Sequence, residues 1–63
     1  MKTKLQIAHE LHDRLVEKIV WFELEVRYLR LEGKEKEKNH NMIARDEIEL
    51  HLSLLEQYMK EIS

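Results

Sequence analysis

Leu5-Gln-Ile-Ala-His-Glu-Leu-His-Asp-Arg-Leu-Val-Glu-Lys-Ile-Val-Trp-Phe-Glu-Leu-Glu-Val-Arg-Tyr-Leu29 sets the fold. Its apolar side chains recur at alternating steps of three and four: Leu5, Ala8, then His12 in register, Leu15, Ile19, Phe22, Val26 and Leu29. That spacing is the heptad seam of one long helix, with one apolar stripe turned toward a partner. Thr3 is the residue type that caps such a helix, and Gly33 the type that ends one by taking a left-handed conformation. Helix 1 is therefore predicted over about residues 3–32, roughly 45 Å at 1.5 Å per residue. Glu10 with Arg14, and Glu23 with Arg27, sit four apart with the acid first, the favourable order for exposed pairs.

Downstream, Gly33-Lys-Glu-Lys-Glu-Lys-Asn-His-Asn41 contains no apolar residue and reads as a solvated connection over about 33–40. Apolar residues then return at Ile48, Leu52, Leu55, Met59 and Ile62, again at fours and threes. With Asn39 or Asn41 as cap and Asp46, Glu47 and Glu49 near its start, helix 2 is predicted over about 41–62. The expectation is one all-α domain over 1–63, an antiparallel two-helix hairpin. A loop of that length places Phe22 near Leu52 and Leu15 near Met59. The first ten or so residues then overhang the hairpin.

Composition narrows the classes further. The chain has 63 residues, with no Pro, one Gly, no Cys, and 11 basic against 13 acidic residues. So few turn residues argue against a strand-and-turn fold. Without Cys there is no disulfide framework, thiolate metal site or thiol nucleophile, and a cytoplasmic location is expected. The net charge of −2 argues against general nucleic-acid coating. No run of 18 apolar residues occurs, so neither a membrane span nor a signal peptide is expected.

A second set of apolar residues lies off the seam. With Leu5 as heptad position a, Val20 falls at b, Trp21 and Tyr28 at c, and Leu24 and Leu31 at f. With Ile48 as d, Ile43 and Leu50 fall at f and Leu54 at c. The matching positions in the first half of helix 1 are Glu10, Asp13, Arg14 and Glu17, which makes the extra face local. In the expected register, residues 20–31 lie beside 43–54 and both stripes meet at the turn end. Each large apolar side chain contributes roughly 1.5–3 kcal/mol when buried. Val20, Trp21, Leu24, Tyr28, Leu31, Ile43, Leu50 and Leu54 are therefore the expected interface of a homodimeric four-helix bundle.

Residues that suggest chemistry are few. His9-Glu10-Leu11-His12-Asp13 approaches the zinc-protease pattern, but the residue four after His9 is Asp13 rather than His, and no third ligand follows on this helix. His12 lies in the seam near the frayed end of the bundle. His51, with Glu47 one turn before it, reads as a surface pair. Trp21 and Phe22 are adjacent and must face different ways, Phe22 inward and Trp21 toward the second face. Ser53 and Ser63 are the only serines, and no serine, histidine and acid are spaced as a nucleophilic relay. No catalytic, cofactor-binding or metal-binding residue is expected.

In length and topology the chain resembles Rop, the plasmid RNA-binding regulator, also a helical hairpin that dimerises into a four-helix bundle. The likeness carries no residue-by-residue functional pattern. Short two-helix phosphatases of sporulation response regulators share the outline but bear Ser-Gln-Glu-Leu-Asp on their second helix. Here Arg45-Asp-Glu-Ile-Glu-Leu50 stands in its place, so that family is not assigned. The expected function is that of a non-enzymatic regulator or adaptor binding another protein through its N-terminal overhang or acidic helix 2. The alternative is a Rop-like nucleic-acid binder using Lys2, Lys4, Arg14 and Lys18.

Overall fold

The computed structural model describes residues 1–63 and contains two helices, α1 (Lys4–Leu31) and α2 (Glu35–Ile62), each of 28 residues. Thr3 caps α1 as expected. Its hydroxyl accepts from the Gln6 amide at 3.1 Å, and the Gln6 side chain accepts from the Thr3 amide at 2.8 Å. This reciprocal box satisfies two donors that the first turn leaves unpaired.

Gly33, at φ 72°, ends α1 in the left-handed conformation. The Gly33 amide donates to Arg30 O at 3.2 Å and the Lys34 amide to Leu29 O at 3.0 Å, a complete Schellman closure. A Cβ placed on Gly33 meets nothing within 4 Å, so the cost of a side chain there is purely conformational. Gly33→Ala is expected to destabilise the fold by about 1–3 kcal/mol, read from thermal melts, with the helical content at low temperature unchanged.

The connection is shorter than the sequence led us to expect. The Lys-Glu-Lys-Glu-Lys stretch is helical, and α2 begins at Glu35 rather than near 41. Lys and Glu are good helix formers, Glu35 and Glu37 sit in the first turn where the helix dipole favours acids, and Glu35 pairs with Lys38 at 2.7 Å. Asn41 is no cap. It lies inside the helix and donates its side-chain amide to Glu37 O at 2.9 Å.

Six residues moved from loop to helix change the pairing of the two arms. Glu23 meets Arg45 at 2.7 Å and His12 stands 3.5 Å from Glu56, so residue n of α1 lies level with residue 68 − n of α2. Phe22 is therefore level with residue 46, not with Leu52. The expected overhang is absent as well: Leu5 and His9 share an end cleft with Glu56, Met59, Lys60 and Ser63.

The seam itself is as read. Ala8 and Val26 are buried, and Leu5, His12, Leu15, Ile19, Phe22 and Leu29 are half-buried against half-buried Ile48, Leu52, Leu55, Met59 and Ile62. Toward the turn, α2 continues the seam with polar residues, Arg45, Asn41 and Lys38, also half-buried. The Lys38 side chain is only 14% exposed although its ammonium reaches Glu35, the behaviour of a long stem lying on apolar surface with its charge in water.

Two helices make a single layer measuring 47 × 18 × 11 Å. Its radius of gyration is 14.6 Å, against about 10.6 Å for a compact chain of this length. Its surface is 5176 Å², against about 4,300 Å² for a globular protein of this mass. No helix is long and apolar enough to cross a membrane.

Candidate protein interface

All eight residues expected at an interface face solvent in the single chain. Val20, Trp21, Leu24, Tyr28, Leu31, Ile43, Leu50 and Leu54 are between 52% and 89% exposed. Trp21 turns outward while its ring meets the edge of half-buried Phe22, with centroids 5.3 Å apart at 87°, a T-shaped contact that fixes the indole against the helix.

The structure does not gather these eight at the turn end. In the observed register, residues 20–31 lie level with about 37–48, so Ile43 alone of the α2 set stands beside the α1 set. Leu50 is level with Lys18 and Leu54 with Arg14. Four further apolar residues are exposed: Ile7, Leu11, Val16 and Tyr58. The apolar exterior thus extends along the whole hairpin. The error follows from the loop: moving one arm by six residues moves its stripe by nearly two helical turns.

Heptad geometry sorts this exterior into two broad faces. In an antiparallel pair the e positions of both helices flank one side of the seam and the g positions flank the other. The e side is visible in the end cleft, where His9 (e) lies with Glu56 (e), Ser63 (e) and Lys60 (b), and in Glu23 (e) reaching across to Arg45. Val16 and Val20 are the exposed apolar residues on this e/b face, and Val20 borders a shallow hollow lined by Ile19, Glu23, Leu24 and Arg27. Ile7, Leu11, Trp21, Tyr28, Leu54 and Tyr58 all occupy c or g positions, on the opposite face. Leu24, Leu31, Ile43 and Leu50, at f, form its outer edges.

An ion-pair network lies on the e/b side of the seam. Arg45, 19% exposed at a seam position, donates to Glu23 at 2.7 Å and to Asp46 at 3.3 Å, while Arg27 reaches Glu23 at 3.3 Å. The Arg45 hydrogen bond, followed by that of Arg27, holds the Glu23 carboxyl below its ordinary value, and the Glu23 partner raises the Arg45 guanidinium. A carboxylate with a lowered folded pKa contributes stability above its unfolded value and loses it as pH falls through the folded one. Melting temperature is expected to decline from roughly pH 5 downward as Glu23 protonates. Arg45→Leu should flatten that decline, because Glu23 then keeps only Arg27 to hold its carboxyl down.

Glu10 pairs with Lys2 rather than with Arg14. No group of three or more metal-ligating side chains comes together; His9 and Glu56 line the same end cleft, and His12 stands 3.5 Å from Glu56. No family model, no curated protein and no solved structure matches the chain.

Proposed function

We propose that this chain is a small non-enzymatic regulator or adaptor of the cytoplasm, which pairs with a second copy into a four-helix bundle and acts by binding another protein. One observation carries the reading: a single-layer hairpin with 2 of 63 residues buried leaves twelve large apolar side chains beyond Met1 in water. Several exceed half exposure, and covering them supplies the stabilisation that a chain of this size lacks alone. With the overhang gone, the acidic α2 is the surface left for the regulated protein, through Asp46, Glu49 and Glu56 on the polar face.

Sedimentation equilibrium over micromolar concentrations tests the pairing, with a species of twice 7.7 kDa expected. Trp21 is the only tryptophan, so its emission should move to shorter wavelength as concentration rises and the indole leaves water. A folded monomer throughout, with unchanged emission, rejects the reading. The Rop-like alternative is separated by retention on immobilised RNA: binding that falls steeply between low and moderate salt would replace the adaptor with a nucleic-acid binder.

A further inference from the structure

We infer that the second copy pairs α1 with α1, through the outward side of α1 over residues 20–31, and leaves both α2 helices outermost. This rests on the homodimer reading and specifies which surface it uses. At about 100° per residue, positions c and f lie about 160° round the helix from the middle of the a/d seam, on the back of each arm. On the back of α1, Trp21, Leu24, Tyr28 and Leu31 fill four successive c and f positions at steps of three, four and three, an exposed second seam with no partner in the chain. Beside it Val20, Glu23, Leu24 and Arg27, at i, i+3, i+4 and i+7, line a shallow hollow with the spacing of a coiled-coil hole. The back of α2 offers only Ile43, Leu50 and Leu54, interrupted by Glu47. On the two broad faces the central rows are charged, with Lys18, Glu25, Glu32 and Glu37 at g and Glu23, Arg30, Glu49 and Glu56 at e.

Area and symmetry select the same helix of one second copy as the occupant. The hairpin exposes about 850 Å² more than a globular chain of its mass, and each partner in a stable complex buries roughly 800 Å², so the excess is that of one contact per chain. The outward half of α1, 28 residues long and about 11 Å thick, has about 700 Å² to give, enough for that contact. A single contact that closes uses the same patch on both chains. The two backs lie on opposite edges of the layer, so α1 against α2 would leave a free stripe at each end and run on into a filament. Pairing α1 with α1 closes after two chains, with Trp21, Leu24, Tyr28 and Leu31 at the core of the contact. Glu10, Arg14 and Glu17, further along the same line toward the open end, form its polar rim, and Lys18, Glu25, Arg27 and Glu32 border the stripe without interrupting it. Both α2 helices stay open to the regulated protein.

Leu24 and Leu50 make a matched pair for the test: the same residue type at the same heptad position on the two helices, 63% and 59% exposed. In sedimentation equilibrium, Leu24→Glu should raise the dissociation constant by about a hundredfold or more, and Leu50→Glu by less than about threefold. Leu24→Ala and Leu50→Ala keep a strong helix former at each site and repeat the comparison if a glutamate variant loses its fold, with roughly a tenfold rise expected at Leu24 alone. Equal weakening at both positions, greater weakening at Leu50, or none at either would overturn the α1 pairing. A wild-type chain that sediments as a monomer removes the homodimer reading itself, and its mass shows that before any variant is compared.

Discussion

Replacing both Trp21 and Leu24 by glutamate is expected to convert the dimer into a poorly stable monomer. Each side chain contributes roughly 1.5–3 kcal/mol when taken out of water, and the proposed dimer would contain two of each. The substituted carboxylates add a desolvation cost wherever the partner would cover them. At 1.4 kcal/mol per tenfold, the dissociation constant should rise by about three powers of ten or more. Sedimentation equilibrium gives the mass and far-UV circular dichroism the residual helix. Neither residue contributes to the seam within the chain, so a monomer that keeps part of its helical signal is expected rather than a fully unfolded chain. A double variant with unchanged mass and melting temperature would show that the exposed apolar residues of α1 have no role in association.

The parts of the fold legible in sequence are those where one residue type has one physical solution. The three-four spacing from Leu5 to Leu29 buries a single stripe only as a helix, and Gly33 adopts a positive φ that other residues resist. The Lys34–Lys38 stretch was misread because hydropathy reports what a segment buries, not whether its backbone is helical. The α2 seam is polar at Lys38, Asn41 and Arg45, so its apolar signal begins only at Ile48, three turns into the helix. Register inherited that error, and so did the placement of Leu50 and Leu54 beside the turn. Val20, Trp21, Leu24 and Tyr28 are legible as exposed apolar residues because c, f and b positions are normally polar. Leu11 and Tyr58 were missed at g, beside the seam, where an apolar residue attracts less notice. Their heptad positions alone put these two on the same side as Trp21.

Val26→Asp is the substitution expected to abolish folding. Val26 is 1% exposed, the most deeply buried side chain in the molecule, at a seam position where α1 and α2 are closest to complete enclosure. The cations nearest it are Arg30, one turn on but exposed, and Arg45. Arg45 is one turn away in level, but it already donates to Glu23 and Asp46. An unpaired buried charge costs about 3–5 kcal/mol. The whole stability of a domain this size is about 3–9 kcal/mol at 0.05–0.15 kcal/mol per residue. Most of the helical signal should therefore be lost at pH 7. Burial disfavours the ionised form, so the introduced carboxyl's pKa in the folded state lies above its unfolded value. The folded state then binds the proton more tightly, and helix should return as pH falls below roughly 5, opposite in sign to the acid loss expected at Glu23. Val26→Ala provides the control, since it deletes methyl groups without adding charge and should lower the melting temperature with no such pH recovery. If Val26→Asp instead melted like Val26→Ala at neutral pH, the seam at this level would have to admit water, and the hairpin would not be closed where the structure places its tightest packing.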